Sequence, residues 1–387
     1  MVFLVNLARV VFAPLLEPIA ADFGVTAGSI GVVASAAWLG SALPRVPTGW
    51  LLTRVERHRV VVGAGVVLTG AATLAGAAPT VATLAIGAFL MGLASGVYFI
   101  AANPLVSELF PEGVGRALGI HGMSSQLAAA GAPVIVIAVV ALFGEWRATF
   151  LVVAAAAAAT TVVLYLIARR ADLPEAGSAD RDLLGATRAQ LPIVLTGVVV
   201  TGSVGFVWNG LFNFYPTYME QVKLLDRETA SLMLSVLFAA GVPAFLFTGR
   251  LADRIPNVPL ILGVVGGFIT CLFALPYVTG LWPLVAFSVV LGFVIHSLFP
   301  AMDTYLLGTL PDHHRASAYT AYSATMMLPQ AFGSGVVGSL TEAGIAFDAL
   351  YTAFGGGLAV VLAVLVALYA TGRLPADRNV AAGESDV

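Results

Sequence analysis

Apolar runs of twenty or more residues recur from one end of this chain to the other, broken only by short stretches of Pro, Gly and charge. A run of that length crosses the ~30 Å hydrocarbon core of a bilayer as a helix. Inside hydrocarbon the backbone must satisfy its own hydrogen bonds, and barrel strands would be about half as long and would alternate polar with apolar. Splitting the runs at their breaks gives twelve segments, 2–21, 28–52, 59–78, 81–109, 116–142, 147–168, 191–215, 229–250, 258–278, 283–309, 316–340 and 348–371. The expected fold is an all-α membrane protein of twelve transmembrane helices. Composition points the same way, since only 10% of the residues are charged where soluble domains carry about 25%. The first run has no basic leader and no small-residue cleavage site, and it reads as a retained helix rather than a signal peptide.

Basic residues near helix ends stay on the cytoplasmic side, and they set the expected orientation. With the N-terminus inside, Arg54, Arg57, Arg59, Arg116, Arg169, Arg170, Arg181, Arg188, Arg250, Arg254, Arg315, Arg373 and Arg378 fall on one side, thirteen in all. The other side holds three, Arg147, Lys223 and Arg227, while Arg9 and Arg45 lie within spans. The expected division is an N-terminal six-helix half (1–168), a polar cytoplasmic loop (169–190), a C-terminal six-helix half (191–372) and a cytoplasmic tail (373–387). The halves repeat at a shift of 200 residues: Thr48-Gly49, Leu51 and Arg54 recur as Thr248-Gly249, Leu251 and Arg254, and Asn103 falls opposite Asp303. Phe110-Pro111-Glu112 leading to Arg116-Ala117 matches Leu310-Pro311-Asp312 leading to Arg315-Ala316, with one residue deleted. Six helices separate the copies, so the repeat is parallel and the interface between its halves is the natural place for a path.

Gly249-Arg250-Leu251-Ala252-Asp253-Arg254 resembles the loop motif that follows helices 2 and 8 in the major facilitator superfamily. A weaker copy is Gly49-Trp50-Leu51-Leu52-Thr53-Arg54, and Phe110-Pro111 to Gly119 and Gly144-Glu145-Trp146-Arg147 are similar to further motifs of that family. The resemblance implies a secondary transporter working by alternating access. It also implies a cytoplasmic latch, with Gly49, Arg54, Gly249, Asp253, Arg254, Arg116 and Arg315 as gating residues. Asp253 would meet the start of helix 5 near Arg116. Thr53 stands where the first copy would carry a carboxylate, so that latch is expected to be weaker. Ala42 to Pro47, with Arg45, is similar to the stretch around the helix-2 arginine of nitrate/nitrite porters, a branch in which that arginine contacts the anion. The Gly-Pro motif of drug antiporters is only imperfectly matched by Ala130-Gly131-Ala132-Pro133, and the helix-4 arginine is replaced by Ala88.

Ionised side chains inside a span cost several kcal/mol unless they face a cavity or a partner, so each carries a functional reading. Asn6, Arg9, Ala13 and Glu17 share a helix face, and Arg9 either contacts substrate or snorkels to the surface. Arg45 either contacts an anion or belongs to the latch network. Asp303 is a proton-coupling candidate, the alternative being a salt bridge across the halves; His296, one face with it alongside Ser288 and Gly292, is either a proton relay or a hydrogen-bonded lining residue. Asn103, Asn209 and Asn213 are neutral lining candidates for substrate binding, and Trp38, Tyr98, Phe99 and Trp208 candidate walls. The segment Glu145-Trp146-Arg147 and the glycines 333, 335 and 338 read as structural.

The sequence shows no zinc-protease H-E-x-x-H run, no G-x-S-x-G turn and one lone cysteine, Cys271, so no enzyme, metal site or cofactor is expected. Nucleic-acid binding has no support. Two intramembrane arginines against one carboxylate favour a small anionic solute moved by proton symport or exchange; the alternative is a proton-driven exporter of hydrophobic or cationic compounds. The expected setting is the lipid bilayer of the cell membrane, with the chain as a monomer and both termini cytoplasmic.

Overall fold

The computed structural model describes residues 1–110, 114–171, 173, 183–252 and 254–375, and among these every regular element is helical. Three of the apolar stretches are broken where proline removes a backbone donor. The helices α1 (Val2–Val10) and α2 (Phe12–Phe23) are bent by 46°, where Pro14 cannot donate to the Val10 carbonyl. The segment expected as one helix over 2–21 is thus two. Likewise α3 (Ala27–Ala42) gives way to α4 (Arg45–Leu51) at Pro44. Then follow α5 (Arg57–Gly76), α6 (Val81–Leu109), α7 (Val114–Phe143), α8 (Arg147–Ala168) and the short α9 (Leu183–Ala189). The long α10 (Leu191–Gln221) precedes α11 (Arg227–Ala239) and α12 (Gly241–Ala252), a pair separated just ahead of Pro243. The bundle ends with α13 (Asn257–Ala274), α14 (Leu281–Thr309), α15 (Asp312–Glu342) and α16 (Phe347–Ala370).

Ten helical stretches among the described residues are long and apolar enough to cross a bilayer, and eleven when α1 and α2 count as one bent span. The expected segment 316–340 lies in α15, whose 31 residues reach about 46 Å but are too polar to qualify. Tyr322, Ser323, Gln330 and Ser334 are buried along it. Its surroundings explain this: α15 packs against α3 and α10, so protein rather than lipid is the solvent of its polar face.

Within the first part of the chain α6 packs on α3 and α5, and α5 on α8; within the second, α14 packs on α11, α12 and α13, and α13 on α16. Between the parts, α3 meets α15, α7 meets α11, and α2 meets α10. One end of this boundary is tightly shut. A methyl group added at Gly28 would sit 2.5 Å from the Gly338 carbonyl oxygen, and one at Gly338 2.4 Å from that of Gly28, so only glycine allows the approach. Beside them the Glu342 carboxylate accepts from the hydroxyls of Thr26 and Ser29, and Gln221 donates to Glu17 at 3.0 Å. At the other end the two glycines of the repeated loop stretch make no such close approach to described atoms. There a methyl group at Gly49 would come no closer than 3.8 Å to Thr320, and one at Gly249 would meet no described atom within 4 Å.

Candidate functional site

A cavity of about 360 Å³ lies on this boundary and is lined from both parts of the chain. Arg9 reaches it from α1. Its guanidinium donates from Nη2 to Asn6 Oδ1 at 2.5 Å and from Nη1 to the Ser41 hydroxyl at 3.4 Å. Trp38 and Phe99 lie against it, with ring centroids 4.9 and 5.3 Å from its central carbon. Asn6 in turn donates to the Ser125 carbonyl at 2.6 Å, which fixes its amide oxygen toward Arg9. Arg9 is 8% exposed and turned into the cavity rather than out to a membrane surface. Arg45, the first residue of α4, is equally buried; its Nε donates to the Ser41 carbonyl at 3.2 Å and its Nη1 to the Ser323 hydroxyl. Ser41 therefore ties the two arginines together.

Neither arginine has an acidic partner among the described residues. The ion pairs among the described residues are Arg57–Glu108, His58–Glu56, Arg59–Glu56, Arg147–Asp22 and Arg227–Glu220. Arg9 Nε is buried with no hydrogen-bond partner among the described residues. An unpaired cation at depth costs roughly 2.5–3.5 kcal/mol on insertion scales, and ring contacts return about 0.5–2 kcal/mol. Two such groups side by side are an arrangement that an anion relieves.

Asp303 lines the cavity from α14, where it accepts from the Tyr319 hydroxyl at 2.7 Å; no described arginine comes within ion-pair reach of it. His296, also on the lining, donates from Nδ1 to the Gly292 carbonyl at 2.7 Å, and its ring stands edge-on to Trp208 and Phe238. Asn103 and Asn209 line the cavity, as do Trp38, Phe99 and Trp208.

Several expected residues lie elsewhere. Asn213 is fully buried and donates to the Asn209 carbonyl at 2.9 Å; it sits one turn closer to the shut end, beyond the lining. Glu17, beyond the bend between α1 and α2, lies outside the lining beside Gln221, which donates to it at 3.0 Å. Ser288 bonds Tyr215 at 2.7 Å, and Tyr98 stacks on His121 and reaches its Nε2 at 3.1 Å instead of walling the cavity. Of the gating residues, Gly49 is buried, Arg54 is exposed and lies over the Trp50 ring at 4.1 Å, and Arg254 is exposed near Gly249. Asp253 lies outside the described residues, and so do the side chains of Arg116 and Arg315. Arg147 joins Asp22 at 2.7 Å and stacks on Trp146, a contact between helix ends.

Sequence reasoning missed the contribution of α15, whose Tyr319, Tyr322, Ser323 and Gln330 line the cavity. The low hydropathy of that segment was the available signal. It also missed Phe212, Phe238, Phe245 and Phe299, which nothing distinguishes from lipid-facing phenylalanines before the helices are assembled.

The lining has a regularity of its own. Arg9 and Asn209, Trp38 and Phe238, Arg45 and Phe245, Phe99 and Phe299, and Asn103 and Asp303 are all lining residues, and the members of each pair are 200 residues apart. Helix packing follows the same spacing. A methyl group at Gly92 would strike the Ala37 carbonyl, and one at Gly292 the Leu237 carbonyl.

A family profile described as Major Facilitator Superfamily matches residues 1–281 and 225–386. A Bacillus subtilis (strain 168) protein described as an uncharacterized MFS-type transporter, YwfA, is 26% identical over 354 residues, covering 87% of this chain and 82% of its own length. The "Probable sulfoacetate transporter SauU" of Cupriavidus necator is 24% identical over 275 residues, 66% of this chain and 63% of that protein. Among solved structures, a bacterial homologue of the human lysosomal transporter Spinster, inward-facing and unoccupied, superposes with a TM-score of 0.73 at 16% identity over 96% of this chain and 94% of its own. The chain belongs to the Major Facilitator Superfamily and is a multi-pass membrane protein of that family's transporter fold.

Proposed function

We propose that this transporter moves a small anionic solute by alternating access, with Arg9 and Arg45 holding the negative charge and Asp303 carrying a coupled proton. The observation that carries the reading is the pair of buried arginines on one cavity without a carboxylate partner among the described residues. The relative described as a probable sulfoacetate transporter, whose named solute is an organic anion, lends it support. Asp303 is suited to its role because a lone carboxylate at the cavity can be neutral or ionised as the path changes, and Tyr319 holds it in place.

The chain is read as twelve spans in two halves, 1–168 and 191–372, related by a parallel repeat whose axis runs through the cavity. The lining pairs 200 residues apart support this, as do the matching helix packings of the two parts. The excess of basic residues on one side supports an orientation with both termini and the 169–190 loop on the cytoplasmic side of a cell membrane. On that orientation the shut end faces outward.

The test is flux into proteoliposomes against a panel of small anions and a lipophilic cation, with and without a pH gradient. Saturable anion uptake that Arg9→Ala removes is the expected result. Transport of the cation alone, unaffected by that substitution, rejects the reading.

A further inference from the structure

We propose, building on the anion reading, that the solute is an organic monoanion with a flat apolar body about one ring in size, its charged head held by the first half and its body by the second. The cavity is chemically lopsided. Both cations come from α1 and α4, joined at Ser41. At the equivalent places 200 residues on stand Asn209 and Phe245. Among the described lining residues there is one cationic pole.

What faces that pole is aromatic. Trp208, Phe238 and His296 make mutual edge contacts with centroids 5.3 to 5.7 Å apart. Phe212 joins them at 5.4 Å from Trp208 and touches Trp38 across the boundary at 5.9 Å. Trp38 is the ring against which Arg9 lies. A continuous strip of rings thus runs from the Arg9 guanidinium into the second half. Such a strip suits the face of a planar apolar group, and rings prefer offset or edge contact with one another.

Size and charge restrict the ligand further. A volume of about 360 Å³ is near the small end of ligand sites, which run from about 300 to 1,000 Å³. An inorganic oxyanion would leave the rings uncovered, and a dianion charged at both ends would press its second charge onto them. Planar carboxylates also match the guanidinium fork.

Benzoate is the probe, with acetate, nitrate, terephthalate, benzamide and glycine betaine as comparators, using binding to the purified full-length protein and flux into proteoliposomes. Benzoate is expected to bind about tenfold or more tightly than acetate, because ring burial adds to the shared carboxylate contact. Benzamide and terephthalate should bind weakly. Trp208→Ala is expected to collapse the preference for benzoate over acetate, whereas Arg9→Ala should remove binding of both. Trp208→Phe, which keeps a ring in place, guards against misfolding and should retain the preference. Acetate, nitrate or terephthalate binding as tightly as benzoate, in an Arg9-dependent way, overturns the ring-bodied solute and leaves the anion reading standing. Benzamide or betaine binding that survives Arg9→Ala overturns both, and so does failure of every anion to bind.

Discussion

The first and second parts of the chain line the cavity at five pairs of positions 200 residues apart, with different chemistry. Arg9, Arg45 and Asn103 on one side answer to Asn209, Phe245 and Asp303 on the other, while the glycine contacts that set helix spacing are kept in both, at Gly92 and Gly292. Close packing tolerates little change in volume at a backbone contact, so the scaffold positions stay alike. Cavity positions are free to differ, and it is their difference that gives the site a cationic side and an acidic, aromatic side. Position 296 shows how far this goes. In the first half Gly96 lies close to Ser41; in the second the small residue is on the other helix, with Gly241 against the His296 ring. A histidine can therefore stand where its counterpart is a glycine.

The largest expected contrast is between Arg9 and Asn209. Arg9→Ala should weaken anion binding on the order of 100-fold or more, since it removes one member of a buried charge-paired contact. Asn209→Ala, which removes one neutral hydrogen-bonding group, should cost about fivefold. Equilibrium binding measures both, and equal losses would erase the assignment of the anion to the first half. Arg9→Lys should fall between them, because it keeps the charge and loses the planar fork.

Next comes Asp303 against Asn103. Asp303→Asn mimics the protonated acid and should stop pH-gradient-driven accumulation while sparing exchange of solute across the membrane. Asn103→Ala should slow both processes together by a few fold. Intact accumulation in Asp303→Asn would remove the coupling role.

Smaller again is the latch. Asp253→Asn should raise accessibility of the cytoplasmic vestibule roughly two- to fivefold, the size of a charge at a helix end. Thr53→Ala should barely change it, because Thr53 carries no charge and donates back to the Trp50 carbonyl at 2.8 Å. Cysteine labelling in a Cys271→Ala background reads this out. Labels at positions 178 and 279 in the same background report the orientation, and labelling of 178 from outside the cell would reverse it.

The smallest contrast concerns two helix caps at equivalent positions. Thr26 caps α3 by accepting from the Ser29 amide, and Asp226 caps α11 by accepting from the Thr229 amide. Bonds from the Thr229 backbone and hydroxyl hold the Asp226 carboxyl below the usual carboxylate range. A group with a depressed folded pKa stabilises above its unfolded value and loses that contribution as pH falls through the folded one. The melting temperature of Asp226→Ala should therefore lie slightly below that of the parent protein at neutral pH, and the gap should close below about pH 4. A gap that persists in acid would mean the cap acts without its charge.

Hydropathy and charge were enough to recognise a helical membrane protein, and the motif Gly249-Arg250-Leu251-Ala252-Asp253-Arg254 carried the resemblance to its family. Transfer into hydrocarbon is summed residue by residue and so can be read along a chain, and Thr48-Gly49 with Thr248-Gly249 carries the shift of 200. Arg9, Arg45, Asn103, Asp303 and His296 stood out for the same reason, as polar groups in apolar surroundings, and all of them line the cavity. Assembly decided the rest. Glu17, past the bend between α1 and α2, ended beside Gln221 and off the lining, and Asn213 lies beyond the lining although its spacing from Asn209 is helical. The polar face of α15 acquired a meaning only against α3 and α10. Phe212, Phe238, Phe245 and Phe299 became walls of a site because a phenylalanine is equally at home in lipid, core or cavity, and only its neighbours, brought from distant parts of the chain, settle which of these it faces.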